Sequence, residues 1–190
     1  MSFASLCLWP IHRSMEVVKD HRQTLAACDN VTGRIVSLWA KVMCLPQFSV
    51  ALVLGCLGYP ASGSFFVARI AAMVVVGEVD KFMPLNRAAG ICHLSTFGPL
   101  FLGMLWNGQW AWNGAAASSS YLDLANATFV WIEMRVTALC LFLDSRDLIF
   151  QLCGYKYPCY IREAVQAKAL KVDDAGANHP VTWWNRILGP

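Results

Sequence analysis

The sequence predicts an all-α polytopic membrane protein with about four transmembrane helices. Hydrophobic residues make up 57% of the 190-residue chain and charged residues only 14%, against roughly 25% charged in an ordinary globular domain. Long charge-free stretches point the same way, because a spanning helix needs about 20 mostly apolar residues to cross the hydrocarbon core. The composition excludes a disordered chain, which needs low hydrophobicity and high net charge.

Three regions follow from the distribution of the apolar stretches. Residues 1–34 mix charged and apolar residues and predict an N-terminal extramembrane arm with a surface helix. Residues 35–143 form the transmembrane region. Residues 144–190 form a C-terminal extramembrane tail, with a helix predicted over 159–172 because apolar residues recur there at helical spacing.

The transmembrane region divides into four spans. No charged residue occurs between Lys41 and Arg69, and Gly58 and Pro60 within this interval end the first helix. A loop of small and polar residues over 107–120 separates the last two spans. The predicted spans are residues 36–59, 64–79, 88–106 and 121–143.

The basic residues outside the spans predict an orientation. With four spans, the N-terminal arm, the loop between the second and third spans, and the tail share one side of the membrane. That side carries Arg13, Lys19, Arg22, Arg34, Lys81, Arg87, Arg146, Lys156, Arg162, Lys168, Lys171 and Arg186. The loops on the other side carry no Lys or Arg, so the positive-inside rule places both termini in the cytoplasm, the mitochondrial matrix or the plastid stroma.

Charged residues inside spans are the first candidates for a functional site. Arg69, Glu133 and Arg135 lie within the second and fourth spans, where each central charge costs about 2.5 to 3.5 kcal/mol on insertion scales. Glu133 and Arg135 are two residues apart and therefore on different faces of a helix. We predict that Glu133 pairs with Arg69. The functional alternative is a small transporter or channel centred on these two residues.

His93 is the only histidine inside a predicted span. The stretch from Gly90 to Leu94 resembles the Gly-Ile-Arg-His-Leu stretch of cytochrome b anchor subunits of succinate dehydrogenase, with Cys92 in place of the arginine. The resemblance covers five residues and does not assign the chain to that family. It implies an alternative in which His93 contacts a quinone, haem or chlorin shared with another subunit. The other interpretation is a hydrogen-bonded histidine inside a helix bundle.

Small residues predict close helix packing. Ser64, Ala68 and Ala72 are four residues apart on the second span, and Ala51 and Gly55 have the same spacing on the first. Such spacing lets helices approach closely in lipid.

Tryptophans mark two further features. Headgroup-layer positions at the ends of spans are predicted for Trp39, Trp106, Trp110 and Trp112. Trp183 and Trp184, near the C-terminus, are typical anchors of protein contacts. We expect them to dock on a neighbouring subunit.

Catalytic signatures are missing from the sequence. It contains no Gly-x-Ser-x-Gly, phosphate-binding loop or His-Glu-x-x-His motif, and its eight cysteines include no Cys-x-x-Cys pair that would indicate zinc. We therefore predict no enzyme, metal or nucleic-acid partner. The predicted function is a non-catalytic accessory subunit of a multi-subunit integral membrane complex. The expected setting is the mitochondrial inner membrane, in a respiratory complex or ATP synthase, with a plastid membrane as the alternative. No cofactor is predicted, although bound phospholipid is compatible with this interpretation.

Overall fold

The structure, a computed structural model, describes residues 3–82, 87–112, 120–172 and 182, and most of them are helical. The helices are α1 (Phe3–Ala27), α2 (Val31–Cys56), α3 (Pro60–Phe82), a short 3-10 helix (Arg87–Gly90), α4 (Ile91–Trp106), α5 (Tyr121–Leu152) and α6 (Cys159–Gln166). Within those residues, α2, α3, α5 and the 3-10 helix taken together with α4 are long and apolar enough to span a membrane. The predicted class, an all-α polytopic membrane protein, is confirmed.

Local sequence signals explain where these helices begin. Asn30 precedes α2 and accepts a hydrogen bond at 2.8 Å from a backbone N–H of the first turn, and Ser120 does the same for α5 at 3.1 Å. Gly58 has a φ of +94° in the turn after α2, a conformation that favours glycine. Pro60 is the first residue of α3. An N–H at that position has no partner within the helix, so the absence of an N–H in proline costs no hydrogen bond.

Two helix ends differ by six residues or more from those predicted. α5 continues to Leu152 instead of ending at residue 143, because neither glycine nor proline occurs over 144–152 to interrupt its hydrogen bonds. α6 ends at Gln166 instead of residue 172. Its termination follows from Lys168, which adopts a left-handed φ of +56°, so that the next two N–H groups turn back to the carbonyl of Ala164.

α3 contacts α1, α2, α4 and α5 and lies at the centre of the membrane region. Phe65 and Ala72 of α3 are fully buried, together with Met134 of α5. Near the turn between α2 and α3, the two backbones meet: a Cβ on Gly55 would lie 2.8 Å from the Cα of Gly63. Of the small residues that predicted close packing, Gly55 therefore serves a helix contact within this chain, and Ala51, Ala68 and Ala72 are buried.

Polar contacts place the two ends of the membrane region. The hydroxyl of Tyr59, in the turn after α2, donates to Asp123 near the start of α5 at 2.7 Å, so these two ends share one face. At about 1.5 Å per residue, Asp144 lies about 32 Å further along α5, close to the roughly 30 Å of the hydrocarbon core. We call the end at Asp144, where α2 begins, the basic face, and the end at Tyr59 the opposite face.

The N-terminal and C-terminal segments pack together at the basic face. The side chain of Asn30 donates to a backbone carbonyl of α6 at 3.1 Å, and Cys28 is buried against Ile161. The predicted docking residues Trp183 and Trp184 lie outside the described residues.

α1 lies against the basic end of α3. The guanidinium of Arg13 donates to the carbonyl of Gly77 at 2.9 Å, and Val17 is buried beside it. A Cβ on Gly77 would lie 2.7 Å from a methyl group of Val17, so the glycine permits this close approach.

Candidate functional site

Polar side chains from α2, α3, α4 and α5 join in one chain of hydrogen bonds. Its first half lies at mid-depth, where Arg69 Nε donates to Gln47 Oε1 at 3.0 Å. The amide of Gln47 in turn donates from Nε2 to Glu133 Oε2 at 2.8 Å. One neutral side chain thus accepts from the cation and donates to the carboxylate.

The second half leads from mid-depth to the basic face. Arg69 Nη1 lies 3.2 Å from His93 Nε2, and His93 Nδ1 lies 2.8 Å from Asp144 Oδ2. Arginine has no acceptor, so Nε2 must accept and the ring proton of a neutral His93 resides on Nδ1, which donates to Asp144. We call Gln47, Arg69, His93, Glu133 and Asp144 the polar network.

Helical periodicity brings these residues together. Gln47 belongs to the buried face of α2, four residues after Met43 and four before Ala51. Arg69 is four residues after the buried Phe65 on α3. Glu133 occupies the buried face of α5 between Phe129 and Thr137. Since residues four apart share a helix face, each polar group points into the bundle rather than into lipid.

The polar network is closed at one end and partly open at the other. Gln47, Arg69 and Glu133 are 1–2% exposed. Toward the opposite face, Phe65 and Phe129 cover them with rings in an edge-to-face contact, 5.9 Å between centroids. At the basic face, the side chains of His93 and Asp144 are 17% and 20% exposed. Of the five side chains in the polar network, only the two at the basic face are partly exposed.

Two buried polar atoms at this level have no hydrogen-bond partner within the described residues. They are Nη2 of Arg69 and Oγ1 of Thr137. The Arg69 guanidinium also lies 5.4 Å from the centroid of the Phe97 ring, a favourable contact for a cation. Orphaned buried donors are rare in native structures, so this layer has capacity for further hydrogen bonds.

Arg135 is satisfied separately from the polar network. Its guanidinium donates to the backbone carbonyls of Trp131 at 2.8 Å and Trp110 at 3.0 Å. The indole rings of the same two residues lie against it, at 3.9 Å and 4.6 Å to the ring centroids. Trp112 packs on Trp131 and extends this aromatic cover. Arg135 therefore finds its partners within the chain.

The structure brings together most of the residues that the sequence singled out. Arg69 and Glu133 point into the same layer, but Gln47 links them where a direct pair was predicted. His93 joins them and engages both ring nitrogens, so coordination of haem iron at Nε2 would require displacing Arg69. Sequence reasoning missed Gln47 and Asp144. Gln47 carried a usable signal, since it lies four residues before Ala51 on the predicted packing face.

The described part of the chain contains no candidate metal site, since no group of three His, Cys, Asp or Glu side chains converges there. The fold and the site together define a helical membrane-embedded protein with an internal polar network. Comparison with known protein families, with curated proteins and with solved structures gives no match.

Proposed function

We propose that this chain is a non-catalytic subunit of a multi-subunit integral membrane assembly. The observation that carries the proposal is an apolar surface beyond the lipid. α5 continues past Asp144, and its last turns expose Ile149 and Leu152, the latter 81% accessible. At about 1.5 Å per residue, Leu152 lies about 12 Å beyond Asp144. The headgroup layer adds only about 5–7 Å on each side of the hydrocarbon core.

Neither lipid nor this chain's own described residues cover that surface. Tyr155, immediately after α5, is also exposed, so large apolar side chains gather where the chain leaves the membrane. Exposed apolar clusters on a protein surface mark contact sites for other proteins. We call Ile149, Leu152 and Tyr155 the α5 extension surface.

The polar network supports a scaffold role over a transport role. Arg69, Glu133 and Arg135, the charges deep within the spans, find partners inside the chain, and the contact between Phe65 and Phe129 closes the network on one side. Such an arrangement holds α2, α3, α4 and α5 together without providing a path across the membrane.

The proposal is tested by purifying the tagged full-length chain from its own membrane in mild detergent. We expect a particle several-fold heavier than the 21.0 kDa chain, containing other membrane proteins. Leu152→Glu should release the chain from this particle while leaving its circular dichroism unchanged, because Leu152 is exposed. Ala167→Glu, an exposed substitution of the same charge just after α6, should leave the particle intact. A wild-type chain that purifies as a monomer contradicts the proposal.

The membrane that we propose is the mitochondrial inner membrane, in a respiratory complex or ATP synthase, with the basic face toward the matrix. The Lys and Arg asymmetry of the sequence supports the orientation, and the matrix is one of the three compartments that it allows. Protease treatment of intact mitoplasts carrying a C-terminally tagged chain provides the test. The tag should survive until the inner membrane is lysed. Recovery of the tagged chain in plastids would favour the alternative.

A second candidate, a proton or ion transporter, is favoured by the continuity of the polar network from Glu133 to Asp144. Intramembrane ionisable side chains in series are the usual material of proton relays. In proteoliposomes with a trapped pH-sensitive dye, this function predicts proton flux that Glu133→Gln abolishes and Ser49→Ala, a lipid-facing change, leaves intact. A rate equal to that of empty vesicles contradicts it. The subunit proposal does not depend on this outcome.

A further inference from the structure

A groove of about 900 Å³ opens between α1 and the pair formed by α2 and α3. We call it the α1 groove. One wall comes from a single side of α1, at helical spacing: Ile11, Met15, Lys19, Arg22, Gln23 and Ala26. The facing wall is Phe48 and Leu52 of α2 with Phe66 and Ile70 of α3.

The two walls belong to different environments. Phe66 and Ile70 lie inside the candidate span Pro60–Val79, whereas α1 is not among the helices apolar enough to span a membrane. α1 is fixed against Gly77, near the basic end of α3, by Arg13. The groove therefore joins a charged helix to a wall in the hydrocarbon region, and its occupant has to be amphipathic.

The charge of the groove selects an anion. Lys19 and Arg22 are both exposed, and no ion pair or hydrogen bond joins either of them to another described residue. Glu16 is engaged by Arg13 at 2.9 Å. Asp20 follows Lys19 directly, so it points about 100° away around the helix. Two cations three residues apart on one helix face suit a phosphate, which the arginine fork binds particularly well.

We propose that the α1 groove binds an anionic phospholipid. Its phosphate lies between Lys19 and Arg22, and its acyl chains run along Phe48, Phe66 and Ile70. A lipid satisfies both walls at once, whereas a soluble anion leaves the aromatic wall uncovered and a neutral lipid leaves the two cations unmatched. The site would tie α1 to the bundle through the lipid.

Native mass spectrometry of the full-length chain, released from detergent, tests the site. The probes are phosphatidylglycerol and phosphatidylcholine with identical acyl chains. We expect wild-type protein to retain phosphatidylglycerol at least about fivefold better than phosphatidylcholine. The double variant Lys19→Gln/Arg22→Gln should lower that ratio to near one. Lys168→Gln/Lys171→Gln removes the same charge from exposed positions after α6 and should leave the ratio unchanged.

Further arms separate the lipid from its competitors. Ile70→Trp fills the apolar part of the groove and should reduce retention of phosphatidylglycerol. If the Lys19/Arg22 variant loses its helical circular dichroism, this variant serves as the test of the site in its place. Glycerol 3-phosphate at the same concentration should displace nothing. Equal retention of both lipids by wild-type protein overturns the proposal, as does an equal loss in the two double variants. Displacement by glycerol 3-phosphate also overturns it, because the site would then be one for a free anion.

Discussion

A neutral side chain, Gln47, determines how charge is tolerated inside this bundle. Its side-chain oxygen accepts from Arg69 and its side-chain nitrogen donates to Glu133, so each charged group has a hydrogen bond although the two do not bond to each other. The sequence predicted that the two ions lie together, because opposite charges deep in lipid have few other partners. It did not predict the mediator, since an uncharged glutamine does not register in a search for intramembrane charge.

Replacing Gln47 with leucine should destabilise the bundle. The substitution keeps the volume roughly constant but leaves Arg69 Nε and the Glu133 carboxylate each without a hydrogen-bond partner. Orphaning a buried polar group costs about 1–3 kcal/mol, and we expect a loss of at least that size in the free energy of unfolding, followed by circular dichroism during SDS titration.

The matched control is Ser49→Ala on the same helix. Ser49 is exposed, and among the described residues its hydroxyl bonds only to a carbonyl of its own helix, at 2.6 Å. Removal of this hydroxyl should therefore change stability by less than about 0.5 kcal/mol. Equal stability of the Gln47→Leu and Ser49→Ala proteins would show that the polar network contributes nothing to the fold.

Cysteine reactivity offers a check on the extramembrane packing. Burial raises the pKa of the Cys28 thiol above its usual value, and Cys28 is 1% exposed, whereas Cys153 is exposed. Alkylation requires the thiolate, so Cys28 should react much more slowly than Cys153 near neutral pH and speed up as pH rises. Peptide mass spectrometry after brief iodoacetamide treatment measures both. Similar rates would mean that α6 does not cover Cys28.

At the scale of helices, the presence of each membrane span was easier to predict from the sequence than the residues at which the helix begins and ends. Four apolar segments are visible in the sequence because stretches of about twenty mostly apolar residues are typical of membrane spans. Helix ends depend on local features instead. The left-handed conformation of Lys168 shortens α6, and the absence of glycine and proline over 144–152 lengthens α5. A hydropathy pattern carries neither kind of information, since polar residues continue a helix as readily as they end one.

The contact between α2 and α3 depends on two glycines. Gly55→Ala should separate these helices, because the added Cβ would lie 2.8 Å from the Cα of Gly63, a backbone atom that cannot move aside. We expect a cost of about 1–3 kcal/mol in SDS unfolding. Gly103→Ala on α4 is the control: nothing lies within 4 Å of its Cβ position, and alanine favours helix by about 1 kcal/mol. A Gly55→Ala protein as stable as the Gly103→Ala protein would contradict the close approach.

At the scale of the whole molecule, the arrangement of spans places both extramembrane segments at one face. The contacts between Asn30 and α6 and between Tyr59 and Asp123 hold opposite ends of the bundle. The count of four spans predicted the same grouping, and the Lys and Arg asymmetry agrees with it. The charge pattern does not predict the α5 extension surface, because that surface exists only if α5 continues beyond the membrane.

Two native cysteines report this arrangement without any substitution. Cys56, at the end of α2, and Cys153, just after α5, are both exposed and belong to opposite faces. In sealed vesicles of uniform orientation, a membrane-impermeant maleimide should modify one of them and spare the other until detergent is added. Modification of both from the same side would refute the four-span arrangement.

The linkage through Gln47 also has a consequence for biosynthesis. Arg69 leaves the ribosome 64 residues ahead of Glu133, which at about 5–20 residues per second is an interval of about 3–13 s. The nascent hairpin first holds a guanidinium in lipid with Gln47 as its only companion from the finished network; His93 follows 24 residues after Arg69, and Glu133 and Asp144 come last. Its early insertion therefore calls for a translocase or membrane chaperone that shelters the arginine until the last span arrives.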